Sequence, residues 1–493
     1  MPDVVPQSRS ANRRGRRPYT QKTYAASNPH RLPNFLALHC VAKVVRKARR
    51  EAPPSPAEHI FPPCIPLRFW LSFIVMHIGV IGAGVVGLAS AYQLLRAGHE
   101  VTVIDAARGP GLGTSFANGG QLSYGYVSPL AAPGVLSQLP SLLFSRTGPL
   151  RIKPSFDPDF WRWSIEFVKH CNAQANASST LRLLSLGLHS REVMLEFLTS
   201  ESVSFDYRLS GKLVVYRDAD KLAAAERSLE LANGLGYAQR RVDAATCAEL
   251  EPALARIAGE LAGGIHTPGE GTGDCQLLCQ ALARLVGEHS RGALLYEREV
   301  TGFDARGNTV RAIRTRSGDV TVDACVVANG LAAMPLLRTV GESVSLYPLK
   351  GYSLTYRGAP PQARPQVSVT DADNKVVYAS LGEHLRVAGI ADLVGYDYRI
   401  AAHRIDALRT LSAGLFPALR GADAPLEWTG MRPATPHGRP ILGRAHTLGN
   451  LWLNVGHGGL GFTLSMGAAR VIADAIDGKR PAVDLAGFAR LAG

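Results

Sequence analysis

Residues 76–105, MHIGVIGAGVVGLASAYQLLRAGHEVTVID, decide the fold of this chain. Ile78 and Val80 belong to a short apolar run that predicts a strand. Residues 88–97 have the spacing of a helix, and residues 101–104 predict a second strand. A strand, a glycine-rich turn, a helix and a second strand in this order are typical of a dinucleotide-binding unit.

The glycine-rich turn between the first strand and the helix has the GxGxxG pattern. Gly82 permits the tight turn, Gly84 lets the backbone approach a pyrophosphate, and Gly87 lets the helix pack closely on the sheet. The pyrophosphate would lie at the positive end of the helix. The sequence therefore predicts a dinucleotide bound by the whole turn, which consists of Gly82, Ala83, Gly84, Val85, Val86 and Gly87.

Asp105 ends the second strand, about 20 residues after the first glycine of the turn, where dinucleotide-binding proteins carry an acid. Its carboxylate can accept hydrogen bonds from the hydroxyls of the adenosine ribose. The same carboxylate would repel a ribose 2′-phosphate. The pattern therefore favours an unphosphorylated dinucleotide, but it does not by itself distinguish NAD from FAD.

Charge is distributed unevenly along the 493 residues. The formal net charge is +14 at pH 7, and residues 1–75 carry +10 of it, with 13 Lys or Arg against three acids. The remaining 418 residues carry only +4. They lack the dense basic face that nucleic-acid binding needs, so we predict no nucleic-acid partner.

Residues 1–75 are rich in Pro and Arg and show no sustained hydrophobic period. Three interpretations stay open: a basic targeting segment, a disordered arm for an anionic lipid or nucleic acid, or upstream sequence translated ahead of a true start at Met76. The third is favoured, because the first strand of a dinucleotide fold usually begins within a few residues of the amino terminus. We therefore expect this extension to be disordered or not part of the native protein.

Residues 67–91 form an apolar run long enough to imitate a membrane span. Polar residues interrupt the run and its second half is the glycine-rich turn, so we expect a soluble or peripheral protein. The seven cysteines show no CxxC pair or framework spacing, which predicts a reducing compartment. Cys275 and Cys279 have no cluster of His or acids beside them, so we predict no metal site.

Later strands are predicted in two groups. Turn signals predict a three-stranded meander formed by residues 293–300, 310–316 and 320–327. Alternating or β-forming runs predict an antiparallel sheet over a pocket, formed by residues 346–356, 376–379 and 385–390.

A strand, a glycine loop and a helix end the chain, which implies that the cofactor domain is built from separated segments. We predict an α/β (α+β) protein in which a Rossmann-like domain binds the cofactor and an inserted antiparallel sheet binds the substrate. The cofactor domain is expected at residues 76–155, 250–340 and 425–493. The substrate domain is expected at residues 156–249 and 341–424.

From Met76 onward the chain resembles the small subunit of bacterial FAD-dependent D-amino acid dehydrogenase, within the wider D-amino acid oxidase and glycine oxidase group. The resemblance covers nearly all residues after residue 75 and none before it. It rests on separated motifs in order: GAGVVGLASAYQL, TSFANGGQLSYGY, TGDCQL, YPLKGYSLT, WTGMRPATPHGRPILGR and NLWLNVGHGGLGFT.

The resemblance implies FAD as the cofactor and oxidation of D-amino acids to 2-oxo acids and ammonia. The hydride would pass from the substrate Cα to flavin N5, and the electrons would pass on to a quinone or respiratory acceptor. It implies a cytoplasmic protein, with peripheral binding to the inner face of the bacterial cytoplasmic membrane as an alternative. The oligomeric state is not predicted.

The resemblance also assigns residues to the parts of FAD. Gly82, Gly84, Gly87 and Asp105 would hold the ADP half, and the backbone at Val300 would meet the adenine. A glycine loop that opens a helix is a second anion-binding element, so the C-terminal loop could stabilise negative charge on the reduced flavin. The other residues assigned to FAD are Ile78, Val80, Ser115, Asn118, Gly119, Gln121, Ala328, Gly330, Gly456, His457, Gly458, Leu460, Gly461 and Thr463.

The substrate carboxylate would be bound by Arg432, because a planar guanidinium is the best fixed partner for it. Tyr352 is a second donor or a wall of the pocket. Lys350 and Arg386 are weaker candidates, for which a solvated sheet face is expected. His437 departs from the family, which usually has Asp there, and this leaves the substrate preference in doubt.

Three functions therefore stay open. The first is a D-amino acid dehydrogenase. The second is an oxidase or dehydrogenase of the same fold that acts on glycine, sarcosine, proline or hydroxyproline. The third is a flavoprotein subunit without turnover, against which Arg432 argues, because such a subunit would have little reason to retain a binding site for a carboxylate.

Overall fold

The computed structural model describes residues 75–138 and 148–489. The three interpretations of the basic extension therefore concern residues that lie outside the described part of the chain, apart from its last residue. In chain order the α-helices are α1 (Val85–Arg96), α2 (Pro158–His170), α3 (Ala173–Ser200), α4 (Ala219–Glu226), α5 (Leu229–Gly234), α6 (Ala244–Leu250), α7 (Cys275–Glu288), α8 (Ala333–Arg338), α9 (Ala402–Leu415) and α10 (Gly461–Ile476).

The strands range from two to ten residues, and several of them follow one another without an α-helix between them. They are β1 (His77–Ile81), β2 (Glu100–Ile104), β3 (Gln121–Leu122), β4 (Leu150–Ile152), β5 (Lys212–Tyr216), β6 (Arg240–Val242), β7 (Gly263–Thr267), β8 (Gly271–Thr272), β9 (Gly292–Leu295), β10 (Val300–Arg306), β11 (Thr309–Thr315), β12 (Val320–Thr321), β13 (Ala324–Val327), β14 (Tyr347–Tyr356), β15 (Ser368–Asp371), β16 (Val376–Leu381), β17 (His384–Leu393), β18 (Leu426–Ala434), β19 (Ile441–Arg444) and β20 (Leu451–Val455).

The first large sheet has six strands in the order β19-β20-β13-β1-β2-β9. Neighbouring strands run parallel, except that β19 is antiparallel to β20. Parallel strands are usually covered on both faces, which explains why β1 and β13 are almost entirely apolar. The predicted strand, turn, helix and strand of residues 76–105 are β1, α1 and β2, and the Rossmann-like fold is confirmed.

Helices α1, α7 and α10 cover one face of this sheet and share a hydrophobic core with α3. The close approach of α3 and α10 depends on Gly467, where a Cβ would lie 2.7 Å from the Cα of Ser190. Among the described residues, one helical stretch, Gly458–Ile476, is long and apolar enough to cross a membrane by length and composition. Most of it is buried in the core, and buried core helices of soluble proteins pass the same test.

The second face of the six-stranded sheet packs on α8 and on a small sheet of β10, β11 and β12. The predicted meander is therefore wrong in two of its strands. Strand β9 pairs with β2, and β13 pairs with β1, both in the parallel sheet. Both strands are short apolar runs whose partners lie far away in the sequence, so turn signals alone placed them in the wrong sheet.

The second large sheet contains β18-β14-β17-β16-β15-β5-β7-β6, with β4 paired beside β17. The three strands predicted around residues 346–390 are its antiparallel centre, β14, β16 and β17. Helix α9 packs on one face of this sheet and closes a second hydrophobic core. The domain boundaries stay a prediction, but β7 and β18 belong to this sheet although they fall within the segments predicted for the cofactor domain.

The free face of the second sheet meets the loop that follows β2. Ser353 of β14 donates a hydrogen bond to the carbonyl oxygen of Ala117 at 2.7 Å. Gly119 lies so close to Val377 of β16 that a Cβ on the glycine would be 3.1 Å from the valine Cγ2. The loop is thus fixed between the two sheets, and this places a cavity between them.

Candidate active site

A single elongated cavity of about 1210 Å³ runs from the glycine turn of β1 to the free face of the second sheet. This volume exceeds the usual range for one drug-sized ligand, so the cavity can hold a dinucleotide together with a small substrate. Arg432 and Tyr352 belong to its lining. So do most predicted cofactor residues: Gly82, Ala83, Gly84, Val85, Val86, Asp105, Ser115, Asn118, Gly119, Gln121, Val300, Ala328, Gly330, Gly456, His457, Gly458 and Gly461.

The three glycines of the first turn have different roles. Gly82 has a φ of +111°, which L side chains rarely adopt. A Cβ on Gly87 would lie 1.8 Å from the carbonyl oxygen of Gly82, so Gly87 allows the helix to begin directly against the turn. A Cβ on Gly84 would meet only the hydroxyl oxygen of Ser115, at 3.5 Å. The space beside Gly84 is therefore free for a ligand, as predicted for a pyrophosphate.

Asp105 is held firmly at the end of β2. Its Oδ2 accepts a hydrogen bond from the backbone N–H of Ala83 at 2.6 Å, and its Oδ1 accepts one from the backbone N–H of Ala107 at 2.7 Å. The carboxylate thus fixes the glycine turn while it lines the cavity. This double task explains why an acid is needed at this position even before any ribose is bound.

Replacing Asp105 with alanine should weaken FAD binding while the protein still folds. The change removes charge-assisted hydrogen bonds worth about 1.5 to 3 kcal/mol, which corresponds to roughly 10-fold to 150-fold in affinity. Titrating FAD into the apoprotein measures the effect. An unchanged dissociation constant would show that other groups hold the ribose and the turn.

The second glycine loop follows β20 and opens helix α10. Gly456 and Gly458 have positive φ values of +78° and +54°. Between them, His457 is buried, and burial lowers the pKa of its imidazole to about 3, so the ring is neutral at physiological pH. Its Nε2 has no hydrogen-bond partner among the described residues.

Two asparagines of the cavity lining also have a buried polar atom without a hydrogen-bond partner. Asn329 and Asn454 each have a buried Oδ1 without a partner in the described part of the chain. Together with the two glycine turns, these unpaired polar atoms fit a polar cofactor that supplies hydrogen-bond partners. The sequence analysis missed both asparagines, although Asn329 lies between Ala328 and Gly330, which it did select.

Five predicted cofactor residues lie behind the cavity lining. Ile78 and Val80 are fully buried in the core, and Gly87 packs against the turn. Leu460 packs against the same core. The hydroxyl of Thr463 donates to the Gln121 carbonyl oxygen and accepts from the Ser123 N–H, both at 3.3 Å. These residues support the walls of the cavity, and their direct contact with the cofactor stays a prediction.

Arg432 extends from β18 into the cavity and has no side-chain hydrogen bond or ion pair among the described residues. Burial lowers the pKa of its guanidinium, but an arginine stays charged in proteins. The guanidinium lies over Gly351 of β14, where a Cβ would be only 2.4 Å from Nη2. Gly351 therefore leaves space for the guanidinium, which has no anionic partner among the described residues.

The hydroxyl of Tyr352 is already used by the protein. It donates to Oδ2 of Asp392 at 2.9 Å, and the Nη2 of Arg404 donates to Oδ1 of the same carboxylate at 2.5 Å. Tyr352 also belongs to the core under α9. This geometry favours the pocket wall over the second donor, and a catalytic role of Tyr352 stays a prediction.

Lys350 and Arg386 do not lie on a solvated sheet face, so that prediction is wrong. Lys350 is 2% exposed and donates to the carbonyl oxygen of Arg399. Arg386 is 5% exposed and donates to the carbonyl oxygen of Asn118 at 2.6 Å and to Oδ2 of Asp274 at 3.3 Å. Both cations are bound internally, which leaves Arg432 as the better partner for a substrate.

His437 is buried outside the cavity lining, and its Nδ1 accepts the backbone N–H of Arg439 at 3.2 Å. Its ring centre lies 5.7 Å from that of His170. Burial, and then the charges of Arg439 and His170, lower the pKa of His437 to about 3. At the position where the resembling family usually has aspartate, this chain thus has a neutral buried group outside the cavity lining.

Acid should destabilise the fold through His437. The pKa is about 3 in the folded state and 6.5 in the reference state, so the unfolded chain binds the proton first as the pH falls. The contribution is complete above pH 6.5 and is lost toward pH 3, with a loss of about 2 kcal/mol between pH 7 and pH 5. Urea unfolding at both pH values should show a smaller loss for His437→Asn. Equal losses would contradict the account.

No group of three or more His, Cys, Asp or Glu able to hold a metal ion occurs within residues 75–138 and 148–489. Cys275 and Cys279 are buried in the core under the parallel sheet, on α7. The fold and the cavity thus define a protein that can bind a dinucleotide between a Rossmann-like sheet and a second, largely antiparallel sheet.

This chain belongs to the FAD-dependent oxidoreductase family, whose sequence pattern matches residues 77–475. The cofactor predicted from the resemblance, FAD, is confirmed. The chain is 46% identical over 424 residues to D-amino acid dehydrogenase 2 of Ralstonia nicotianae. These residues cover 84% of this chain and 99% of that protein.

A second relative and a solved structure are also similar to this chain. D-amino acid dehydrogenase 2 of Pseudomonas aeruginosa is 41% identical over 416 residues, which cover 84% of this chain and 98% of that protein. The crystal structure of glycine oxidase from Geobacillus kaustophilus is 24% identical and superimposes with a TM-score of 0.67, covering 85% of this chain and 99% of that one. This last similarity shows the shared fold alone.

Proposed function

We propose that this protein oxidises D-amino acids to 2-oxo acids and ammonia. The proposal rests mainly on Arg432, whose guanidinium has no partner among the described residues. It lines a cavity whose other end has the glycine turn and the acid expected to bind FAD. The two relatives named D-amino acid dehydrogenase support the substrate class. An amino acid brings the carboxylate that Arg432 lacks.

Arg432 would bind and orient the substrate. Two parallel N–H groups of its guanidinium match the two oxygens of a carboxylate, so a bidentate pair fixes both position and direction. Such a pair also compensates the desolvation of the buried cation. With its carboxylate held on β18, a small amino acid can extend its Cα toward the loop around Gly119.

The remaining lining residues hold the cofactor and limit the space around the substrate. When bound, FAD supplies the acceptor for the hydride of the substrate Cα. The first glycine turn and Asp105 would hold its ADP half, and the loop around His457 offers backbone N–H groups and the positive end of α10. The volume of the cavity leaves room for a flat ring and a small substrate beside these residues.

We infer further that the electrons pass to a quinone and that the protein is cytoplasmic and binds peripherally to the inner face of the membrane. Helix α2 supports this inference. Its residues Trp161, Ile165 and Val168 form one row with exposed fractions of 52%, 56% and 47%. Phe156, just before the helix, is fully exposed. Aromatic and aliphatic rows of this kind suit a membrane interface.

The experiment for the substrate uses the purified holoenzyme without oxygen and with a soluble quinone analogue. We expect equal amounts of 2-oxo acid and ammonia from small D-amino acids such as D-alanine. If only glycine, sarcosine or proline is oxidised, the alternative function of the same fold is correct. Absence of turnover with every amine in a holoenzyme that holds FAD would favour the third function, a flavoprotein subunit without turnover.

The experiment for the membrane compares co-sedimentation with anionic vesicles. The double variant Trp161→Ser, Ile165→Ser should bind vesicles less than the natural chain. Leu209→Ser is the matched control, because Leu209 is 61% exposed outside α2. Equal vesicle binding by all three proteins would contradict a role of α2 in membrane binding. The basic extension would then be the candidate for the membrane-binding segment, because its positive charge can attract it to anionic lipids.

A further inference from the structure

Lys375 lines the cavity that contains Arg432, whose third cationic lining residue, Arg298, donates a hydrogen bond to the Ser317 carbonyl oxygen. It stands in the turn between β15 and β16, and its side chain is exposed. Within the described part of the chain, its ammonium group has no hydrogen bond or ion pair. The cation therefore lacks a counter-charge.

The acids nearest in the sequence are already paired with other groups. Asp371 accepts hydrogen bonds from the side chain of Arg217 at 2.8 Å and from the side chain of Asn374 at 2.8 Å. Asp373 accepts one from Lys221 at 2.6 Å. These pairs hold the acids within the turn, and Lys375 is left facing the cavity.

The backbone of Lys375 is held in an unfavourable conformation. Its φ is +52°, in the left-handed region that non-glycine residues rarely adopt. Its carbonyl oxygen lies beside Gly389 of β17, where a Cβ would be only 2.7 Å away. The turn and Gly389 thus fit one another, and together they place the lysine at the edge of the cavity.

Val376, which follows Lys375, pairs with Gly389 of β17, and Gly389 pairs with Tyr352 of β14, next to Gly351, in a sheet whose strand order is β18-β14-β17-β16. The guanidinium of Arg432 already reaches over Gly351 of β14. From there to β16 is two strand spacings, roughly 10 Å between backbones. The Lys375 side chain can cover part of this distance, and only the glycines Gly351 and Gly389 need be crossed between the two cations.

We propose that Lys375 is a specificity-determining residue that binds an anionic side-chain group of the substrate. On this proposal, which rests on the proposed function, the α-carboxylate lies on Arg432 and the side chain extends across Gly351 and Gly389 to Lys375. An acidic side chain of glutamate length provides the second carboxylate. D-Glutamate is then a better substrate than its neutral isostere D-glutamine.

The test compares kcat/KM for D-glutamate and D-glutamine in the natural enzyme and in Lys375→Gln. We expect the ratio of the two values to exceed one in the natural enzyme and to fall about fivefold in the variant, the upper size for one exposed ion pair. The kcat/KM for D-alanine should stay within about threefold, which reports an intact fold and an intact Arg432. An unchanged ratio in the variant, or a preference of the natural enzyme for D-glutamine, would overturn the proposal.

Lys221→Gln is the matched control. Lys221 pairs with Asp373 of the same turn, is 59% exposed and lies outside the cavity lining. Its loss removes the same charge from the same region and should leave the ratio unchanged. An equal fall of the kcat/KM ratio in both variants would mean that the positive charge of the whole region favours D-glutamate, and that direct contact with Lys375 does not.

A binding measurement separates this proposal from the proposed function. The unreactive dicarboxylate glutarate and the monocarboxylate butyrate are titrated against the holoenzyme, and the flavin absorbance reports binding. We expect glutarate to bind more tightly than butyrate, and Lys375→Gln to abolish that preference. If no D-amino acid is oxidised but glutarate still prefers the natural enzyme, the proposed reaction is wrong and the second anion site is right. If butyrate binds as well as glutarate, the second site is wrong.

Discussion

Replacing Arg432 with alanine should leave FAD bound but lower kcat/KM for D-amino acids by roughly 30-fold to several thousand-fold. Loss of one member of a desolvated charged pair costs about 2 to 5 kcal/mol, and about 1.4 kcal/mol corresponds to a factor of ten. The fold should be unaffected, because within residues 75–138 and 148–489 no acid depends on this guanidinium. Steady-state kinetics and the flavin content of the purified variant measure both statements.

Two variants make the result specific. Arg311→Ala removes the same charge from an exposed position of β11 and should leave kcat/KM unchanged. Arg432→Lys keeps the charge but loses the planar pair of donors, so its activity should lie between those of the natural enzyme and Arg432→Ala. Near-normal kcat/KM in Arg432→Ala would show that another cation binds the substrate carboxylate, and Lys375 would be the first candidate.

Replacing Gly87 with alanine should prevent FAD binding. The added Cβ would lie 1.8 Å from the carbonyl oxygen of Gly82, and both groups belong to the backbone, so no rotation of a side chain can relieve the contact. The turn and the start of α1 must then separate, which moves the backbone that approaches the pyrophosphate. The purified variant should be colourless or insoluble.

Two other glycines supply the comparison for Gly87→Ala. Gly84→Ala should fold normally, because its Cβ would meet only Ser115, but it should bind FAD more weakly. Gly234→Ala adds a methyl group to a helix with no neighbour within 4 Å and should change neither stability nor colour. A yellow Gly87→Ala protein with the FAD content of the natural chain would show that the tight turn is not required.

The cofactor half of the fold was predictable because its signals are local. The apolar period of β1, the glycines of the turn and Asp105 all lie within thirty residues, and each has a physical role that its residue type reveals. The resemblance of the later motifs then extended the prediction to FAD and to Arg432. A cavity that brings these separated motifs together agrees with that reading.

The rest of the site depends on partners that no local pattern encodes. Arg386 looked like an exposed strand residue, but Asp274, more than a hundred positions earlier, binds it. Strand β9 was predicted in a meander because its true partner, β2, lies even farther away in the sequence, so no local pattern indicates the pairing. Lys375 carried no signal, since only the fold shows that its turn reaches the same cavity as Arg432.

The most direct test of the account is the flavin spectrum of the purified protein under anaerobic conditions. D-Alanine and D-glutamate, and their L-forms as controls, are added and the absorbance of the oxidised flavin is followed. We expect a yellow protein that releases FAD and whose flavin is bleached by the D-amino acids but not by the L-forms. A colourless protein that binds NAD and cannot be reconstituted with FAD, or bleaching by L-amino acids or by sarcosine alone, would contradict it.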